Sequence, residues 1–201
     1  MIKLETKHLI LYPLTAQRIK DILNDEPLEY STKIWLTPDN TTLLTWMLEE
    51  LYAFMPPKLG FTSWIFIEKS SNEVIGDGGY KGNPDDSGQV EIGYEIIESK
   101  RKLGYATEAI DALLNWALTQ QEIKTIIAKC HYENLPSQGL LDKMGFQFIG
   151  EEDEMDIYQI KLENSALTHI KQYLIKCTLL SGGIALLTLL IKKIRKKKTL
   201  D

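Results

Sequence analysis

The segment EIGYEIIESKRKLGYATEA, beginning at Glu91, constrains this chain more than any other. Residues 89–97 read as a strong β-strand. Residues 106–120 carry Ala106, Ala109, Ile110, Leu113, Leu114 and Ala117 on one helical face. Between them lies a basic turn, Lys100-Arg101-Lys102-Leu103-Gly104. The first N–H groups of a helix have no intrahelical partner, and the helix dipole makes that end positive. A strand–turn–helix of this kind is a ready anion site. Gly104 has no Cβ and lets a ligand approach the backbone closely. The same residues also suit an ordinary strand-to-helix connection with solvated lysines. No Gly-Lys-Ser/Thr follows, so this is not a Walker A loop, and the G-x-G-x-x-G dinucleotide fingerprint is absent. The glycines of Gly76-Asp77-Gly78-Gly79 sit inside a strand pattern, where a bulge or close strand packing explains them.

The remaining elements follow from periodicity and punctuation. Residues 8–14 form a strand, and Thr15 caps a helix bearing Ile19, Ile22 and Leu23 on one face. A second helix is expected over residues 40–54, stopped by Pro56-Pro57. Residues 64–69 and 74–80 are strands joined by a polar turn, and residues 82–88 form a loop. Strand 124–130, helix 137–144 ended by Gly145, and strands 146–150 and 155–162 complete the order. The order β-α-α-β-β-β-α-β-α-β-β predicts an α/β (α+β) fold, a mixed sheet with helices on its faces. With 44% apolar and 25% charged residues among 201, the composition is that of a globular domain.

Charge divides the chain. Residues 1–167 hold 15 Lys/Arg against 27 Asp/Glu, a balance of −12, whereas residues 168–201 hold 8 against one, or +7. An acidic body argues against nucleic acid as a partner and suits an amine. Two distant cysteines indicate a reducing compartment, and three scattered histidines indicate no metal site. Charges at Lys3, Glu5 and Lys7 leave no apolar signal-peptide core.

Arg101-x-x-Gly104-x-Ala106 resembles the Q/R-x-x-G-x-G/A motif of the GNAT superfamily of N-acetyltransferases, with Ile92-Gly93-Tyr94 and Ala106-Thr107-Glu108-Ala109 matching around it. Downstream, Asn134-Leu135-Pro136-Ser137 and Lys143-Met144-Gly145-Phe146 resemble the N-x-x-S…K-x-G-F element of the RimJ/RimL branch, and Leu4-Glu5-Thr6 to Leu14-Thr15 resembles its first strand. The resemblance covers residues 3–162. It implies the GNAT fold, mostly antiparallel, and a cytoplasmic enzyme moving acetyl from acetyl-CoA to a primary amine. The acceptor would be a protein N-terminus or a small molecule. Ile96 and Ile97 would hold the pantetheine arm through backbone N–H groups. Arg101, Lys102, Leu103, Gly104, Tyr105, Ala106 and Thr107 would hold the pyrophosphate. Asn134 and Lys143 would also touch the cofactor. The tyrosine that many members use as general acid is replaced by Leu141. The branch points instead to Ser137, which also suits a helix N-cap. Glu91 is the expected base, with Glu95 and Asp77 behind it. His8 and Tyr12 stand where the branch usually has Arg, which weakens transfer of a ribosomal substrate. Loss of catalysis would leave a CoA-binding regulator or a membrane-docked scaffold.

The domain is expected to end at residue 164. Beyond it, residues 177–191 carry no charge and precede Lys192-Lys193-Ile194-Arg195-Lys196-Lys197-Lys198. As a helix, that run spans about 22 Å, short of the roughly 30 Å hydrocarbon core. Such a tail suits an anionic membrane surface, a full span, or a partner chain such as a second copy.

Overall fold

The computed structural model describes residues 2–162. Eight strands form one sheet: β1 (Leu4–Glu5), β2 (Leu9–Pro13), β3 (Ser63–Glu68), β4 (Glu73–Tyr80), β5 (Gln89–Ile96), β6 (Thr125–His131), β7 (Gln147–Glu152) and β8 (Met155–Lys161). Their order is β1-β2-β3-β4-β5-β6-β8-β7. Every neighbouring pair is antiparallel except β5–β6. The mixed, mostly antiparallel sheet expected from the sequence is therefore present, with β1 as an additional short edge strand.

Alternation along the strands sends side chains to two faces. On one face Trp64, Phe66, Ile75, Ile92 and Ile96 pack with Ile110, Leu113 and Trp116 of α4 (Tyr105–Ala117). On the other, Ile65, Ile67 and Val74 pack with Ile19 and Ile22 of α1 (Ala16–Leu23) and Leu44 of α2 (Pro38–Trp46). Burying each such side chain contributes about 1.5–3 kcal/mol. Thr15 caps α1 as expected, accepting from Arg18 N–H.

Besides α4, which ends at Ala117 and not at residue 120 because Thr119 and Gln120 N–H turn back onto Trp116 O and Ala117 O, two helices differ from the sequence expectation. The second starts at Pro38, not residue 40, because Thr37 and Asn40 form a reciprocal capping box and proline suits the first helical turn. It is then interrupted by a π turn, Met47–Leu51, closed by Tyr52 N–H on Met47 O, before the short α3 (Tyr52–Phe54). Such turns are frequent at functional sites. The other is α5 (Leu135–Lys143), which starts ahead of Ser137 because Asn134 is its cap.

The glycine strand is a close-packing device. A Cβ at Gly76 would lie 2.2 Å from Glu95 O, and one at Gly78 would lie 2.7 Å from Tyr94 Cα. A register shift between Phe66 and Ile67 accompanies it. β4 and β5 thus approach with no room for side chains between them.

Candidate active site

The parallel ladder between β5 and β6 stops at Ile92–Ala128. β5 continues against β4 to Ile96, and β6 continues against β8 to His131. The sheet therefore splays open from Gly93 onward. Ile97 N–H donates to Ile75 O at 3.0 Å and Lys81 N–H to Glu91 O at 2.9 Å, which sets the hydrogen-bonding phase. Odd-numbered residues bond to β4, and Tyr94 and Ile96 turn their backbone groups toward the opening. Of the two amides expected to meet the cofactor, Ile96 fits. Ile97 does not, because its N–H is committed to β4. The Tyr94 N–H faces the opening as Ile96 N–H does.

The opening leads into a cleft of about 580 Å³, within the usual range for ligand sites. It is lined by β5, the N-terminus of α4 and the N-terminus of α5. Ile96, Arg101, Lys102, Gly104, Tyr105, Ala106, Thr107, Asn134, Ser137 and Lys143 all line it, so most of the residues singled out in the sequence converge. The Leu103 side chain is 63% exposed and outside the cleft. The α4 ladder begins at Glu108 N–H on Gly104 O, 3.1 Å, which leaves the amides before it directed out of the helix end. Gly104 has φ +88°, and a Cβ there would meet nothing within 4 Å. Lys102 also adopts a left-handed conformation, φ +61°. Open space over this backbone, with Lys100, Lys102 and Lys143 around it, fits a diphosphate. Arg101 is used differently: its Nε donates to Ile96 O at 2.8 Å and its Nη2 pairs with Glu95 at 3.2 Å, bracing the end of β5.

Ser137 is the third residue of α5. Its N–H donates to Asn134 Oδ1 at 3.2 Å, so Asn134 performs the capping and the Ser137 hydroxyl does not. The Tyr94 O–H reaches Ser137 O at 3.5 Å. Burial pushes the Tyr94 phenol above its ordinary range. Leu141 is fully buried in the core.

The carboxylates divide. Glu91 ion-pairs with Lys81 and does not line the cleft. Glu95 lines the cleft and a second pocket on the α2 face of the sheet. Asp77 lies in that second pocket, accepting from Trp35 Nε1 at 2.7 Å and Ser63 Oγ at 3.3 Å. Burial raises its pKa against these two hydrogen bonds.

Two networks without a local sequence signature hold the cofactor turn. Glu68, 5% exposed, accepts from Lys100 at 2.6 Å, Ser71 at 2.6 Å and the Tyr105 O–H. Glu108, in the first turn of α4, binds His8 and Thr6. Burial opposes its charge, but the Thr6 and His8 bonds outweigh it and lower its pKa. A charged residue ending an apolar strand is the one available hint of Glu68.

A sheet splayed at one parallel pair beside an anion-binding helix end is the frame of an acyl-CoA-dependent transferase. The acetyltransferase (GNAT) domain family model matches residues 8–147, and the chain belongs to this family. It is 44% identical over 87 residues to the uncharacterized N-acetyltransferase YjdG of Bacillus subtilis, covering 43% of this chain and 52% of that protein. The chain thus spans about half the length of that relative. It is 30% identical over 148 residues to YoaA of the same organism, another uncharacterized N-acetyltransferase, covering 72% of this chain and 82% of that protein. Among solved structures, RimL, a ribosomal L7/L12 alpha-N-protein acetyltransferase in complex with coenzyme A, superposes with a TM-score of 0.58. It is 16% identical and covers 80% of this chain and 98% of that one, a likeness of fold.

Proposed function

We propose that this protein moves an acetyl group from acetyl-CoA to a primary amine by direct attack. The observation that carries this reading is the single cleft that collects the Tyr94 and Ile96 backbone groups, the α4 N-terminus and Ser137. The α4 amides and neighbouring lysines hold the pyrophosphate. Tyr94 or Ile96 N–H holds the pantetheine arm or polarises the thioester carbonyl. The amine nitrogen forms a bond to the carbonyl carbon, the C–S bond breaks, and the thiolate takes a proton from Ser137, directly or through water. After attack, the surplus proton on the nitrogen restores the Ser137 hydroxyl. Before attack, the acceptor ammonium must lose one proton to a base so that its nitrogen has a free lone pair. Glu91, tied to Lys81 away from the cleft, is poorly placed for it. We assign that proton to Asp77, which stands across the β4–β5 ladder from the cleft-lining Glu95 and whose carboxyl is the more basic through burial.

Calorimetry with acetyl-CoA, followed by thiol release against an amine panel, tests this reading. Binding without release from any acceptor favours a CoA-binding regulator, the alternative that Leu141 raises. Gly104→Val is expected to weaken acetyl-CoA at least about tenfold, or 1.4 kcal/mol. No side chain crowds the site, but a β-branched residue at φ +88° forces the turn to rebuild. Unchanged affinity in the folded variant removes this turn from the site.

The tail lies outside the described residues, and among those described no helix is long and apolar enough to cross a membrane. The sequence alone supports its role. A chain truncated after Asn164 should remain folded and bind acetyl-CoA, since the β5, α4 and α5 residues that line the cleft all lie within 2–162. The full chain should adhere to anionic vesicles and the truncated one should not, with adhesion falling as salt rises if the lysines dock on the surface. Indifference of the full chain to vesicles points the tail toward a partner chain, including a second copy.

A further inference from the structure

The pocket on the α2 face has the chemistry of an acceptor site. It encloses about 390 Å³. On the sheet side it is lined by Gly78, Gly79 and Gly93. Its walls include Leu43, Trp46, Leu51 and Tyr94. Leu43 is 46% exposed and Trp46 is 52% exposed, although both are large and apolar. Asp77 also lines it, its carboxylate held in place by Trp35 and Ser63, and Glu95, exposed and paired with Arg101, stands across the ladder on β5. Tyr94 and Glu95 line this pocket and the cofactor cleft alike, so the end of β5 is a wall common to both.

We propose that the acceptor is a primary ammonium carried on one apolar or aromatic arm, the ammonium seated on Asp77 and Glu95 and the arm against Trp46, Leu43 and Leu51. This rests on the acetyltransferase reading and specifies its second substrate. The lining disfavours a polyamine, because its second cation would lie against Trp46 and Leu51 in a pocket that Lys81, itself a cation, also lines. The volume suits a small arylalkylamine or the first residue of a polypeptide, which share this chemistry. Asp77 is fixed by two donors, so it meets the ammonium without reorganising.

The test measures thiol release with the full chain, using phenethylamine, putrescine, spermidine and tetrapeptides beginning with Phe or Ser. Phenethylamine or the Phe peptide should exceed putrescine and spermidine in kcat/KM by at least about tenfold, the worth of one buried apolar contact set. Which of the two leads decides between small molecule and polypeptide. Asp77→Asn should lower kcat/KM for the preferred amine at least about 100-fold, because it removes both the seat of the ammonium and the group assigned its proton, with acetyl-CoA affinity unchanged. Asparagine can keep the Trp35 and Ser63 partners and removes a buried charge, so Tm should hold or rise. Trp46→Ala should raise KM for the aromatic amine and leave kcat near wild type, because it removes binding shared by ground and transition states. A preference for putrescine or spermidine overturns the proposal, as does an Asp77→Asn enzyme of full activity. Acetyl-CoA binding with no release from any of these amines also overturns it and leaves the cofactor cleft standing. Absence of acetyl-CoA binding is the distinct result that sinks the underlying reading.

Discussion

Replacing Ser137 by alanine is expected to lower kcat by about 10²–10⁴-fold while acetyl-CoA affinity is unchanged, the usual loss for a general acid. The expectation depends on where the hydroxyl sits. Had Ser137 capped α5, its removal would have cost stability and little else. Asn134 supplies the cap instead, and Ser137 contributes only its N–H to it. The two roles separate cleanly by mutation. Asn134→Ala should cost about 0.5–2 kcal/mol of stability, whereas Ser137→Ala should leave Tm near wild type. Pre-steady-state thiol release at saturating acetyl-CoA provides the rate. Full kcat in Ser137→Ala removes the serine from chemistry. Tyr94 is then the donor to test, since its hydroxyl lies within 3.5 Å of Ser137 O and Tyr94→Phe removes only that group.

The cofactor side of this site is legible in the sequence because its signal is local. A strand, a basic turn with Gly104 and an amphipathic helix lie consecutively, so periodicity places the elements, and the resemblance of Arg101-x-x-Gly104-x-Ala106 to a family motif supplies the cofactor expectation. Ser137, Asn134 and Lys143 join through a second short motif. The departures have equally physical origins. Ile97 and Tyr94 differ by the phase of the β4–β5 ladder, which a sequence does not display: Ile97 N–H bonds to Ile75 O. Glu91 stands next to a recognisable motif, yet alternation and Lys81 turn it away from the cleft. Asp77 gains its character from Trp35, 42 residues distant, and Glu68 from Lys100 and Tyr105, more than 30 residues distant. Such contacts depend on sheet order, and no local pattern encodes them. The π turn of Met47–Leu51 is hidden in the sequence because its apolar spacing is close to helical.

Glu68→Gln is expected to destabilise the fold by about 3 kcal/mol at neutral pH and by progressively less on acidification, at about 1.4 kcal/mol for each pH unit between the folded and unfolded pKa values. Lys100, Ser71 and Tyr105, in that order of effect, hold the Glu68 carboxyl at about 2, against an ordinary value near 4.5. A carboxyl whose pKa is lowered by folding stabilises the folded state above the unfolded pKa. That contribution is complete above about pH 4.5 and falls away as pH drops toward 2. The nearly full burial of Glu68 limits screening by solvent. Other carboxylates titrate in the same window, so the informative quantity is the wild-type minus variant difference from urea unfolding at pH 7, about 4.5 and about 3. It should be nearly equal at the first two values and smaller at the third. A constant difference at all three would assign the loss to packing and not to charge. The substitution should also reach the cofactor. Lys100 and Tyr105 bracket the pyrophosphate turn, and Glu68 fixes both to the end of β3. Glu68 does not itself line the cleft and acts through Lys100 and Tyr105 as a positioning residue. Acetyl-CoA affinity should therefore fall in Glu68→Gln with Ser137-dependent chemistry intact, seen as a raised KM for acetyl-CoA at unchanged kcat. A lowered kcat at saturating acetyl-CoA would instead place Glu68 on the path of the reacting groups.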